Sequence, residues 1–116
     1  MRKPSVICDR FDTIVVPFPF AERPIVKRRP VAVLSGLRFN DANGATLCAM
    51  ITTAKSSSWI SDHPIRDPAA AGLSQSCILR FRLITIPNGL ILRQLGRLSA
   101  IDRLACELAL AEMIAG

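Results

Sequence analysis

The sequence predicts a mainly β protein, a small and strongly bent sheet or barrel closed by one C-terminal helix. Three observations predict it. Short β-branched and apolar runs recur between proline and glycine turns. Only the last stretch has sustained helical periodicity, and a capping motif opens it. The chain has 116 residues, half of them hydrophobic, which is enough for one domain, residues 1–116, with its own core.

Met1 to Arg10 read as a lead-in arm. Thr13-Ile14-Val15-Val16-Pro17-Phe18 reads as the first strand, with Pro17 and Pro19 ending it or placing it at an edge. Ala21 to Arg29 read as a charged loop. Lys27-Arg28-Arg29-Pro30 then runs into Val31-Ala32-Val33-Leu34-Ser35. Pro30 lacks an N–H, suits a strand's first position and keeps Arg29 extended. Val31 to Leu34 have no polar alternation, which predicts a strand buried on both faces.

Asn40-Asp41-Ala42-Asn43-Gly44 is the strongest turn signal, since Asn-Gly tolerates positive φ. It predicts a return into a long strand, Thr46 to Thr53. Lys55 and three serines follow as a polar loop, then Trp59. Asp62 to Arg66 read as a short edge strand because of Pro64. Ala69-Ala70-Ala71-Gly72 is too short for a helix. Cys77 to Ile86 read as a strand, Pro87-Asn88-Gly89 as a turn and Leu90 to Leu95 as a further strand. Ser99 as N-cap with Asp102 three residues on opens a helix over Ala100 to Ala115, with Ile101, Leu104, Leu108 and Ala111 as its apolar face.

Charge narrows the partners. Fifteen Lys and Arg stand against nine Asp and Glu, a net +6, and eight of the cations precede Asn40. That favours polyanions, nucleic acid first. Five Phe, one Trp and no Tyr argue against extensive base stacking on a sheet surface. Cys8, Cys48, Cys77 and Cys106 form no CxxC pair, so no zinc site is expected, and buried free thiols in a reducing cytosol fit best. No signal peptide or membrane span is expected.

Common catalytic sets are missing. His63 is the one histidine, beside Pro64, and reads as a surface loop residue more readily than as a base. No phosphate-binding glycine loop, Ser-His-Asp pattern or carboxylate pair for Mg²⁺ is present. Arginines and hydroxyls remain, and these suit phosphoryl transfer. The basic run at Arg29 could equally be a solvated loop. Thr52 and Thr53 could bond a phosphate or simply cap a strand end. Arg80 and Arg82 fall two apart on one strand, so they share a face and should meet solvent or an anion. Trp59 could stack a base or serve as a hydrophobic plug.

Phe11-Asp12-Thr13-Ile14-Val15-Val16-Pro17-Phe18-Pro19-Phe20 resembles the opening strand of PemK/MazF-type toxins. Lys27-Arg28-Arg29-Pro30 with its strand is similar to that family's Arg-Pro strand start. Ala49-Met50-Ile51-Thr52-Thr53 resembles its threonine-bearing third strand, and Gly96-Arg97-Leu98-Ser99 its approach to the final helix. The resemblance runs from about Asp9 to the C-terminus.

The resemblance implies an SH3-like barrel and a cytoplasmic homodimer acting as the toxin of a type II toxin–antitoxin system. It implies a metal-independent, cofactor-free, sequence-preferring endoribonuclease that cuts single-stranded mRNA and inhibits translation. It places catalysis on Arg29 and Thr52 and carries a further family arginine to Arg80. Lys27, Arg28, Thr53, Arg80 and Arg82 are the expected RNA contacts. In relatives an acid two positions beyond the Arg80 equivalent is catalytic; here that position is Arg82. The glycine-rich approach to the Arg-Pro pair is replaced by Arg23-Pro24-Ile25-Val26. The implied reaction is attack of a ribose 2′-OH on the adjacent phosphorus, leaving a 2′,3′-cyclic phosphate and a 5′-OH. It also implies a cognate antitoxin, whose neutralising segment the basic surface predicts to be acidic and flexible when free. Two other readings stay open: a toxin of the same fold that inhibits a protein such as gyrase, and a plain nucleic-acid-binding module.

Overall fold

The computed structural model describes residues 6–18, 27–53 and 58–116. The arm 1–5, the loop from Pro19 to Val26 and the Lys55 loop through Ser57 lie outside the described residues. The elements run β1 (Asp12–Phe18), β2 (Lys27–Val33), α1 (Leu37–Asn43), β3 (Ala45–Thr52), β4 (His63–Pro64), β5 (Ile78–Pro87), a 3₁₀ turn (Asn88–Leu90), β6 (Arg93–Arg97) and α2 (Ala100–Ala115). The strands form one sheet in the order β4-β5-β3-β2-β1-β6, with every pairing antiparallel. The result is a mostly β half-barrel with a C-terminal helix.

The sheet carries a core on each face. Ala32, Leu34, Ala49, Ile51, Leu79 and Phe81 pack with Cys106 of α2 on one side. Ile14, Val16, Val31, Val33, Cys48 and Ile86 pack on the other. Val31, Ala32 and Val33 are all fully buried, as their unbroken apolar run predicts.

Pro30 does not open its strand. β2 starts three residues earlier, with Lys27 opposite Phe18 and Pro30 opposite Val15. Pairing with β3 begins at Val31, opposite Met50, so among the described residues the basic half of β2 is paired on the β1 side alone. The ladder therefore loses nothing to the missing proline N–H there. Pro17 is accommodated similarly, because β6 covers β1 only from Asp12 to Val15.

The predicted turn at Asn40 to Gly44 is a helix. Gly36 at its N-cap supplies no side chain; instead the Asp9 carboxylate accepts from Leu37 N–H at 3.0 Å. Gly44 ends the helix at φ +65°, the left-handed conformation that the Asn-Gly pair favoured. Asn40 is fully buried, donating from Nδ2 to the Cys8 and Ser35 carbonyls. The predicted strand at Leu90 to Leu95 is shifted, since the 3₁₀ turn takes up Leu90 and β6 starts at Arg93.

α2 spans the predicted residues, and Ser99 Oγ accepts from Asp102 N–H. Its predicted apolar face points the other way. Ile101, Leu104, Leu108 and Ala111 are exposed, while Asp102 and Cys106 are buried, with Ala109 and Leu110 packed on the core. A buried carboxylate sets the rotation of this helix.

The outer side of β6 meets the loop before β5. Arg97 N–H donates to the Ala70 carbonyl at 3.0 Å, and Gly72 lies against Leu95. Gly72 has φ +71°, and a Cβ there would come within 2.2 Å of the Leu95 carbonyl oxygen. Gly72→Ala should therefore cost about 1–3 kcal/mol in strain alone, read as a lower urea midpoint. An unchanged midpoint would show that this loop yields freely.

Candidate active site

The basic half of β2 presents alternate residues to the sheet's two sides. Lys27 and Arg28 are exposed, and Arg29 is half-buried opposite Val16. On the Arg29 side a cavity of about 170 Å³ is lined by Phe18, Arg29, Met50, Ile51, Thr52, Arg80 and Arg82. Four sequence-predicted site residues, from three strands, thus meet in one place. On the Arg28 side a larger groove of about 540 Å³ includes Arg28, Pro30, Ser74, Gln75 and Arg93, and Arg29 borders it as well. Lys27 and Thr53 line neither.

A bulge sets the two β5 arginines. Ala49 faces Leu83 and the next residue, Met50, faces Arg80, so Phe81 and Arg82 have no partner residues between them. Bulges re-aim side chains. Phe81 turns into the core and Arg82 stays exposed at the cavity.

Arg80 meets an anion, and it belongs to the protein. Its Nε donates to Asp62 Oδ1 at 3.1 Å and its Nη2 to Asp62 Oδ2 at 2.9 Å. The guanidinium also lies 5.6 Å from the centroid of the Trp59 ring. The Arg80 hydrogen bond holds the Asp62 carboxyl below its usual range, and Asp62 in turn raises Arg80. Trp59 is therefore no buried plug; it is 44% exposed and stacked on an arginine. Sequence spacing carried no signal for Asp62, which lies 18 positions from its partner.

His63 is not a surface loop residue. It sits on β4 opposite Leu79, its side chain 18% exposed, with Nε2 2.9 Å from Asp102 Oδ1. Asp102 also accepts from Arg66 N–H, Asp67 N–H and Ser99 Oγ. Burial pushes the Asp102 carboxyl upward, but the hydrogen bonds from Arg66, His63, Asp67 and Ser99 outweigh it and leave the group below its usual range. The carboxylate is thus ionised, and Nε2 carries the proton it accepts. Since Leu79 packs in the α2-side core and Arg80 follows it in the strand, His63 lies across the sheet from the arginine cavity.

The four thiols are free and buried. Burial raises Cys8 and Cys106 to about 11 and Cys48 to about 12, so none is a thiolate nucleophile near neutral pH. Among the described residues, no three His, Cys, Asp or Glu side chains gather as a metal-binding group, and no helix is long and apolar enough to cross a membrane.

Residues 9–114 match the family of PemK-like, MazF-like toxins of type II toxin–antitoxin systems. The chain belongs to this toxin family. Solved structures share its fold. A MazE–MazF complex from Deinococcus radiodurans is similar over 95% of this chain and 98% of that one, with TM-score 0.73 and 18% identity. The Mycobacterium tuberculosis toxin MazF-mt6 is similar over 87% and 93%, with TM-score 0.68 and 23% identity. A mycobacterial endoribonuclease in complex with its cognate antitoxin is similar over 94% of both chains, with TM-score 0.71 and 12% identity. No curated protein matches the chain. At these identities the structural likeness carries the PemK/MazF fold alone.

Proposed function

We propose that this PemK/MazF-family toxin is a metal-independent endoribonuclease that cuts single-stranded RNA at the cavity of Arg29, Thr52, Arg80 and Arg82. The observation that carries the reading is the meeting of these four residues around about 170 Å³. Arg29 contacts the scissile phosphate, and its fork geometry matches two phosphate oxygens. Thr52 hydrogen-bonds a non-bridging oxygen. Arg82 adds positive charge where the transition state gains negative charge. Lys27, Arg28 and Thr53 bind the flanking backbone, with Arg28 guiding it along the larger groove.

The ribose 2′-OH attacks the adjacent phosphorus; the P–O5′ bond breaks, leaving a 2′,3′-cyclic phosphate and a 5′-OH. The described lining holds no carboxylate and no histidine. Asp62 is bound to Arg80 and held well ionised, which makes it a weak base. Rate enhancement therefore rests on electrostatic stabilisation before proton transfer. Similar structures solved as complexes, a mycobacterial endoribonuclease with its cognate antitoxin and a MazE–MazF pair, support a cognate antitoxin as partner. The homodimer belongs to the same proposal.

Incubation with a mixed RNA in EDTA tests the reading. Cleavage should proceed, the new ends should be 2′,3′-cyclic phosphate and 5′-OH, and DNA should survive because it lacks the nucleophile. Cleavage that requires added Mg²⁺ would reject the mechanism. Binding without cleavage would point instead to a nucleic-acid-binding module.

A further inference from the structure

We propose that Trp59 is a stacking platform for a nucleobase next to the scissile phosphate, with Arg80 against the ring and Asp62 anchoring both Arg80 and the Trp59 backbone. The proposal rests on the ribonuclease reading for its neighbour and adds a base subsite to it.

Three observations carry it. First, Trp59 is 44% exposed although it is the chain's single tryptophan, and the Arg80 guanidinium stands 5.6 Å from its ring centroid. A cation over one face is a favourable contact and leaves ring surface open to a base. Second, the backbone that carries the ring is tied down before any ligand arrives. Asp62 Oδ2 accepts from the Trp59 backbone N–H at 2.9 Å, the Asp62 backbone N–H donates to the Trp59 carbonyl at 3.0 Å, and the same carboxylate grips Arg80, the cation beside the ring, at two points. A side chain on an anchored backbone loses less entropy on binding than one on a free loop. Third, Arg80 also lines the cavity of Arg29 and Thr52, so the ring and the proposed reacting phosphate share one neighbouring residue.

Charge decides which part of a nucleotide fits. Asp62 offsets the charge of Arg80, so this corner is a poor phosphate site compared with exposed Arg28 and Arg82. What the corner offers is an aromatic face. Stacking there tolerates any base, because every base has a π face.

Trp59 is its own probe. The full chain is titrated at fixed salt with a short single-stranded DNA oligonucleotide, which binds without offering a 2′-OH, and Trp59 fluorescence is followed. Quenching should saturate, and an abasic oligonucleotide of the same length and charge should quench far less. A labelled oligonucleotide then reports affinity for variants whose fold is checked by circular dichroism. Trp59→Leu should weaken binding about tenfold to a hundredfold, while Trp59→Phe should keep most of it. A plug role predicts the reverse, with Leu serving as well as Phe. Unchanged affinity in Trp59→Leu, equal quenching by the abasic strand, or no binding of the wild type would overturn the platform. A wild type that binds and quenches but leaves RNA intact would reject the ribonuclease reading and keep the platform. A wild type that cuts RNA with a KM unaltered in Trp59→Leu would reject the platform alone.

Discussion

Arg29→Ala should lower RNA cleavage by about 10²–10³-fold, the typical loss when one preorganised charge contact to a transition state is removed. The side chain is half-buried at the cavity, and its backbone is held in β2 opposite Val16. Truncation to alanine leaves the β1–β2 pairing in place and removes no residue from either core. The variant should therefore keep its circular dichroism spectrum and melting behaviour while losing turnover. Arg29→Lys should rescue poorly, because a single ammonium cannot present the two-pronged donor set of a guanidinium. Single-turnover cleavage of a labelled RNA in EDTA measures the effect. Near-wild-type rates for Arg29→Ala would remove Arg29 from the site.

Asp102→Ala should destabilise the fold by about 3–5 kcal/mol, the usual cost of taking one partner from a buried charged cluster. The carboxylate is fully buried and serves four donors: His63 Nε2, Arg66 N–H, Asp67 N–H and Ser99 Oγ. Their loss leaves buried donors unmatched and detaches the start of α2 from the β4 segment. A domain with about 5–15 kcal/mol of total stability would feel this strongly. The pH dependence has a definite sign. The folded-state carboxyl lies below its usual value, so Asp102 contributes fully above the unfolded value of about 3.9, and the contribution drains as pH falls through the folded value. Asp9 and Asp62 are lowered too, so the wild type should lose stability in acid from several groups. The difference between wild type and Asp102→Asn isolates Asp102. In urea titrations that difference should be largest near pH 7 and shrink below about pH 4. Equal stability of the two proteins at neutral pH would show that the cluster holds nothing.

Features with local causes were legible along the chain. Ser99 and Asp102 are three residues apart, and the cap they form starts α2 where their spacing predicts. The apolar run at Val31 marked a strand buried on both faces, and Asn43-Gly44 marked a left-handed residue. The order of the Arg-Pro, threonine and Gly-Arg segments was enough to suggest the toxin family, which the match over residues 9–114 shows.

Tertiary structure alone decided what depends on partners far along the chain. α1 formed where a turn was expected because Asp9, 28 positions away, caps it. α2 turned its apolar stripe outward because Asp102 must face His63, 39 positions away, as well as Arg66 and Asp67. The moment of a helix reports only its own side chains, and four hydrogen bonds to one buried carboxylate outweigh three or four exposed aliphatic groups. Arg80 looked free to meet a ligand until the fold brought Asp62 to it and laid Trp59 alongside. Periodicity and capping act within a few residues, whereas the neutralisation of a charge depends on which distant group the folded chain places within about 3 Å of it.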